Sequence, residues 1–282
     1  MKRILKYCLF IYRKSLKQLF LFNYNLLNAL PKGRFATSDG LDEIFGKTTQ
    51  INLDSTPVKF HTPNWITRYR AKTILSKEPE TITWINSMEE GSVLWDIGAN
   101  VGTFSIIAAS RKIHVVAVEP SFMNIELLNR NVLSNEVADF VTVVPIGLGS
   151  KTAIVNFFMT SSYFTWGGAH NSLGSNIGAG GKSIKDVIKT RAICFSVDQL
   201  VEVLSLPSPH HLKIDVDGLE TEVLKGATNT LKKIKTVLVE VDSDFSGHVA
   251  GVEKILESNG LSKFFSGAVA NGSHNQIWRR KE

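Results

Sequence analysis

Five residues in the middle of the chain have the types and spacing to hold a nucleotide-like cofactor: Asp96, Gly98, Asn100, Gly102 and Glu119. The first four lie in Asp96-Ile97-Gly98-Ala99-Asn100-Val101-Gly102, between the apolar run Val93–Ile97 and a second apolar run, Thr103–Ser110. Glycine at such a turn relieves crowding where a ligand approaches the backbone, and the following helix presents free N–H groups to an anion. Asp96 stands just before the turn, placed to accept from an ammonium directly or through water. Glu119 comes 23 residues later, at the end of the next apolar run. An acid there can accept from both hydroxyls of a ribose, as in dinucleotide folds. Two further carboxylates, Asp215 and Asp217, stand in Lys213-Ile214-Asp215-Val216-Asp217-Gly218. They have the chemistry of general bases or, with Asp242, of ligands to a hard cation such as Mg²⁺. Nothing in their spacing demands the metal, and none is assigned.

A glycine turn followed by an acid about 20 residues on serves both nicotinamide and S-adenosylmethionine binders. This turn lacks the middle glycine of Gly-x-Gly-x-x-Gly, which lets the backbone approach a pyrophosphate. S-adenosylmethionine has no phosphate. Its charges are a carboxylate, an ammonium and a sulfonium, which suit an acid-rich turn.

The elements that must position these residues alternate. Val93–Ile97 reads as a strand, Thr103–Ser110 as a helix, Ile113–Val118 as a strand, Phe122–Leu133 as a helix and Phe140–Ile146 as a strand. This order implies a parallel sheet with helices on both faces. Upstream, residues 49–61 read as two short strands joined through Ser55–Pro57, and Asn64–Leu75 and Pro79–Met88 as helices. Downstream, Thr236–Val241 reads as a strand and Val249–Ser258 as a helix closed by Asn259-Gly260. Lys263–Ala270 and Gln276–Arg280 read as a hairpin around Asn271-Gly272-Ser273.

The stretch from His210 to Glu220, taken with Asp96-Ile97-Gly98-Ala99-Asn100 and Val118-Glu119-Pro120, resembles the FkbM family of methyltransferases. So do Lys77–Thr81, Ser196–Leu200, Glu222–Ala227 and Val239-Glu240-Val241, in the same order. The resemblance covers residues 75–280. It implies a Rossmann-like α/β fold with a seven-stranded methyltransferase sheet, mostly parallel, with an antiparallel strand near the C-terminus. It also implies an S-adenosylmethionine-dependent O-methyltransferase acting on a hydroxyl of a sugar, glycan or related polyhydroxylated acceptor.

Asp215 and Asp217 are expected at the end of the fourth strand, beside the first, where ligands bind in open α/β sheets. A neutral hydroxyl is a poor nucleophile, so methyl transfer to it needs a base within hydrogen-bond reach. Asp215 is the first candidate and Asp217 the second. Lys213 reads as an inward partner for one of these acids, and Glu220 as a helix-terminus residue. Residues 160–193, rich in small and aromatic residues, read as a loop insertion that overhangs the site as a lid. His170 within it is a lesser candidate base.

Charge is unevenly distributed. The net charge is +6, yet residues 1–34 hold eight Lys and Arg and no acid, so the remainder carries −2. A nearly neutral body argues against nucleic acid as a partner. Lys2, Arg3, Lys6, Arg13, Lys14 and Lys17 fall within an arc of roughly 120° on a helix, opposite Leu5, Leu9, Tyr12, Leu16 and Leu19. Residues 1–30 thus form a basic amphipathic helix suited either to peripheral contact with an anionic membrane or to packing on protein. Arg13 and Lys14 interrupt the apolar run, against a secretory signal or a span. Cys8 and Cys194 have no metal-ligand spacing and suit a reducing, cytoplasmic compartment. The expected organisation is an arm at 1–34, a lead-in of short strands and helices at 35–90, and the cofactor-binding domain at 91–282. The competing readings are an NAD(P)-dependent oxidoreductase, disfavoured by the turn and by the absence of a Tyr-x-x-x-Lys pair, and a non-catalytic scaffold bound to membrane through its arm.

Overall fold

The computed structural model describes residues 15, 17–19, 21–23, 46–53, 56–160, 165–169, 171–178, 181–245, 247–270 and 273–281. The chain divides into two compact units, Met1–Lys47 and Thr48–Glu282. In the first, the described residues between 15 and 23 are helical. Most of the basic arm lies outside the described residues. No helix among the described residues is long and apolar enough to cross a membrane.

The second unit opens with the antiparallel pair β1 (Thr48–Leu53) and β2 (Thr56–His61), followed by helices α1 (Trp65–Lys77) and α2 (Pro79–Asn86). Asn64 caps α1 through a reciprocal pair of bonds with Thr67, and Pro79 occupies the first turn of α2. The alternating core follows: β3 (Val93–Ile97), α3 (Thr103–Ala109), β4 (His114–Val118), α4 (Phe122–Ser134) and β5 (Val141–Val144).

An insertion after β5 carries a sheet of its own. It is built from β6 (Gly147–Leu148), β7 (Ala153–Thr160), β8 (Ser172–Leu173) and β9 (Val187–Phe195), in the order β6-β9-β7-β8. The loop expected over 160–193 is thereby corrected in two places, because Ser172–Leu173 and Val187–Ile193 pair in register with β7. Most of β9 is solvent-facing, so its sequence shows no apolar alternation from which to read a strand.

The chain then returns to the main sheet through α5 (Val197–Leu204), β10 (His211–Ile214), α6 (Glu220–Lys225), α7 (Thr228–Leu231), β11 (Thr236–Asp242), α8 (His248–Ser258), β12 (Leu261–Ala270) and β13 (Ser273–Arg280). The main sheet has seven strands in the order β12-β13-β11-β10-β3-β4-β5. β13 runs antiparallel to both its neighbours, and the other pairings are parallel. The sheet is the one expected, with the strand order reversing between β3 and β10.

Period-2 alternation sorts the strand residues between two cores. Trp95, Ile97, Val116, Val118, Leu212, Ile214, Val237, Val239 and Trp278 pack on one face with residues of α5 to α8. Leu94, Val115, Ala117, Leu238 and Ile277 pack on the other with residues of α1 to α4 and the β1–β2 pair. The polar side chains of the site sit on this second face, at the carboxyl ends of the strands.

Candidate functional site

A cleft opens at the carboxyl ends of β3, β4 and β10. Gly98, Asn100, Glu119, Asp215 and Asp217 line it, with Arg70 of α1 and, from the inserted sheet, Phe157 and Leu173. Five of the seven site residues expected from sequence therefore converge on one cavity.

The turn after β3 is shaped by its neighbours as well as by its opening onto the cleft. The Gly98 and Ala99 amides both donate to the Val118 carbonyl, at 2.9 and 3.0 Å. Gly98 has φ +82°, and a Cβ there would lie 1.9 Å from the carbonyl oxygen of Asp215. Only glycine permits β10 to pass so close. Gly102, at φ +78°, does not line the cleft. It caps α3, and a Cβ there would meet Leu128 at 2.8 Å, so it serves helix packing. Asn100 adopts φ +52°, a conformation that Asn tolerates better than most residues. Its amide donates to Oε2 of Glu119 at 2.9 Å.

Glu119 is buried at the end of β4. Its Oε1 accepts from the Ser121 amide at 2.9 Å and makes a long contact with Nδ2 of Asn124 at 3.4 Å. Burial pushes its pKa up to about 7, against the pull of these N–H donors and of the Arg70 charge. A carboxylate offers about four acceptor sites, and the two short bonds occupy two. Two remain for a vicinal diol.

Asp96 lies beneath the cleft. It is buried, with Oδ2 accepting from Oγ of Ser105 at 2.6 Å and Oδ1 3.7 Å from Nζ of Lys213. Burial raises its pKa, offset in part by Lys213 and Ser105. Lys213 is as deeply buried and donates to Oδ2 of Asp215 at 3.0 Å, as the inward partner expected of it. Burial would favour its neutral form, but Asp215 and Asp96 outweigh that and hold it charged.

The strand register extends this pairing sideways. Ile214 aligns with Val239, and Glu240 aligns with Asn275, so Asp215, Glu240 and Asn275 stand in one row across β10, β11 and β13. Burial, then the adjacent Asp215 charge, pushes the pKa of Glu240 up to about 10. Burial alone would raise Asp215, yet Lys213, and then Glu240, hold it well below the usual carboxylate range. Glu240 was absent from the expected site. Its signal was a lone acid inside the apolar run Val237–Val241.

Asp217 lines the cleft from a strained turn, with φ +53° followed by Gly218 at +101°. Glu220 does more than open α6: its Oε1 accepts from the Val216 and Gly218 amides at 3.0 and 3.3 Å. Asp242, the third carboxylate weighed for a metal, is buried and accepts the Asp244 amide at 2.8 Å.

A short segment of the insertion, residues 165–169, roofs the cleft. Asn64 donates to Oγ1 of Thr165 and to the Trp166 carbonyl, and Nε of Arg70 donates to the Gly167 carbonyl at 3.1 Å. The Gly168 carbonyl accepts from Nδ2 of Asn100 at 2.9 Å and of Asn124 at 3.2 Å. Trp166 donates to Glu126 of α4. The roof is thus tied to α1, to α4 and to the cofactor turn itself. Arg70 and Asn124 carried no signal in the sequence, being a helical Arg and a helical Asn among many. His170 lies outside the described residues.

Comparison with known proteins agrees with this geometry. The family model described as the methyltransferase FkbM domain matches residues 96–262. The hexuronic acid methyltransferase AglP of Haloferax volcanii is 34% identical over 157 residues, which are 56% of this chain and 59% of that protein. The match thus spans about three-fifths of that relative's length. Among solved structures, magnesium protoporphyrin IX methyltransferase from Synechocystis PCC 6803, with bound SAM, is similar at a TM-score of 0.48 and 12% identity, covering 87% of this chain and 91% of that one. Precorrin-6y C5,15-methyltransferase from Geobacter metallireducens is similar at 0.42 and 14%, covering 73% and 87%. On the match of the family model to more than half of its length, the chain belongs to the family of FkbM-domain methyltransferases.

Proposed function

We propose that the protein transfers a methyl group from S-adenosylmethionine to a hydroxyl oxygen of a sugar, glycan or related polyhydroxylated acceptor. One observation carries the reading: Gly98, Asn100, Glu119, Asp215 and Asp217 converge on a single cleft at the carboxyl ends of β3, β4 and β10. The 34% identity to AglP, a hexuronic acid methyltransferase, supports a sugar as acceptor.

The residues present fit the donor. Glu119 retains acceptor capacity for a ribose diol, and the roof and the inserted sheet wall the cleft. When bound there, S-adenosylmethionine supplies an electrophilic methyl group on a sulfonium. The chain's own residues orient the acceptor and take its proton. Asp215, kept ionised by Lys213, accepts a hydrogen bond from the acceptor hydroxyl. As the new bond forms, the alkylated oxygen becomes strongly acidic, so a carboxylate already in place needs no high basicity to receive the proton. Asp217 is the second candidate for that role, and Glu240 stands beside Asp215 in the next strand.

Calorimetry with S-adenosylmethionine and with NAD, on wild type and Glu119→Ala, tests the cofactor. S-adenosylmethionine alone should bind, and the variant should lose it; a preference for NAD would overturn the reading. Asp215→Asn should lower kcat by about 100-fold or more with donor affinity retained. Full turnover in both Asp215→Asn and Asp217→Asn would sink the base assignment.

A further inference from the structure

The charged residues lining the cleft are three acids, Glu119, Asp215 and Asp217, and one cation, Arg70. Arg70 projects from α1, an element outside the alternating core. Its Nε donates to the Gly167 carbonyl, while the next residue's carbonyl, that of Gly168, accepts from Asn100. The guanidinium is thereby anchored over the turn that follows β3. It lines the same cleft as Glu119 and Asp215, and its charge lowers the pKa of each. Among the described residues, no carboxylate forms an ion pair with it.

A planar guanidinium that spends one N–H on a backbone carbonyl keeps its Nη donors for a two-point contact with an anion. S-adenosylmethionine has one anionic group, the α-carboxylate of its methionyl end. The other polar groups it presents, the ribose hydroxyls and the ammonium, call for acceptors, which the acids supply. The sulfonium joins the ribose to the methionyl chain, so a donor whose ribose is held at Glu119 extends its methionyl end past the sulfonium, within the same cleft that Arg70 lines.

We infer that Arg70 binds the α-carboxylate of the methyl donor. The inference rests on the S-adenosylmethionine reading of the cleft and adds to it a residue from the lead-in region. No chemical step is involved, and Arg70 is a binding residue.

The test compares two ligands by calorimetry on wild type, Arg70→Ala and Arg70→Lys. S-adenosylhomocysteine carries the α-carboxylate; 5′-methylthioadenosine keeps the nucleoside and thioether and lacks the amino-acid end. Arg70→Ala should weaken S-adenosylhomocysteine roughly ten- to a hundredfold, the range of a charge-assisted contact, and leave 5′-methylthioadenosine within about twofold. Arg70→Lys should fall between, since it keeps the charge and loses the fork. Unchanged 5′-methylthioadenosine binding also reports an intact fold. Equal loss for both ligands would overturn the inference, making Arg70 a structural support of the roof. Unchanged S-adenosylhomocysteine binding with a raised KM for an acidic sugar would also overturn it, moving the carboxylate to the acceptor. Failure of wild type to bind either ligand would instead remove the cofactor reading on which it rests.

Discussion

Oε2 of Glu220 lies 2.9 Å from Nε2 of His248, with both side chains buried. The other oxygen of the same carboxylate takes the amides of Val216 and Gly218. Nδ1 of His248 accepts from the Asp242 amide at 3.2 Å, so the ring carries its proton on Nε2. Phe245 stacks on His248 at 5.3 Å and also packs against Gly218. The turn that carries Asp217 is therefore held from α8 through a buried carboxylate. Glu220→Ala leaves two amides without their acceptor and should cost roughly 2–4 kcal/mol in urea unfolding. Glu220→Gln keeps one acceptor oxygen and should cost about 1–3 kcal/mol. A loss under about 1 kcal/mol for the alanine variant would show that the turn holds itself.

Lys213 balances two buried or half-buried acids, and its removal has two readouts. Lys213→Met leaves Asp96 and Asp215 without their cation and should destabilise the protein by roughly 3–5 kcal/mol. Lys213 is also what keeps Asp215 ionised at low pH. Without it the Asp215 carboxyl titrates at higher pH, so the acid limb of the kcat/KM profile should move upward in the variant. An unmoved acid limb would exclude Asp215 as the group seen in that profile.

The raised pKa of Glu119, about 7, predicts opposite pH effects on binding and on stability. Glu119 accepts two ribose hydroxyls only when ionised, so S-adenosylhomocysteine affinity should fall as pH drops through about 7, approaching tenfold per unit. For stability the sign reverses. The ordinary value of 4.5 applies to the unfolded chain, so the folded state holds the proton more tightly. The contribution of Glu119 to stability therefore declines by roughly 3 kcal/mol as pH rises from about 4.5 to about 7. Calorimetry and urea unfolding across that window, on wild type and E119Q, check both. A pH-independent affinity in wild type would mean that Glu119 does not contact the ribose as a carboxylate.

Local pattern alone carried the alternating core, the terminal hairpin and most of the cleft. Strand residues such as Val93–Ile97 and helix residues such as Thr103–Ala109 are specified by apolar runs and turn chemistry, and both lie within a few residues of where they were expected. Asp96-x-Gly98-x-Asn100 and Asp215-x-Asp217 were legible because their spacing is set by one turn each. The family's motifs placed them in a common fold.

What only the tertiary structure decided are the relations between strands and between helices distant in sequence. Asp96 and Asp215 look alike in sequence, yet strand register and depth put the first under the sheet rim beside Ser105 and open the second to the cleft. Glu240 joins Asp215 because β11 pairs beside β10 in one register, which no local pattern in β11 encodes. Arg70 reaches the cleft because α1 packs over the turn after β3, nearly 30 residues downstream of it. β9 forms against β7 across an insertion with little apolar periodicity. The physical reason is common to all four. Hydrophobic periodicity specifies which face of an element is buried, whereas the neighbours of a polar side chain are fixed by long-range packing, and those neighbours determine its charge state and its access to the cleft.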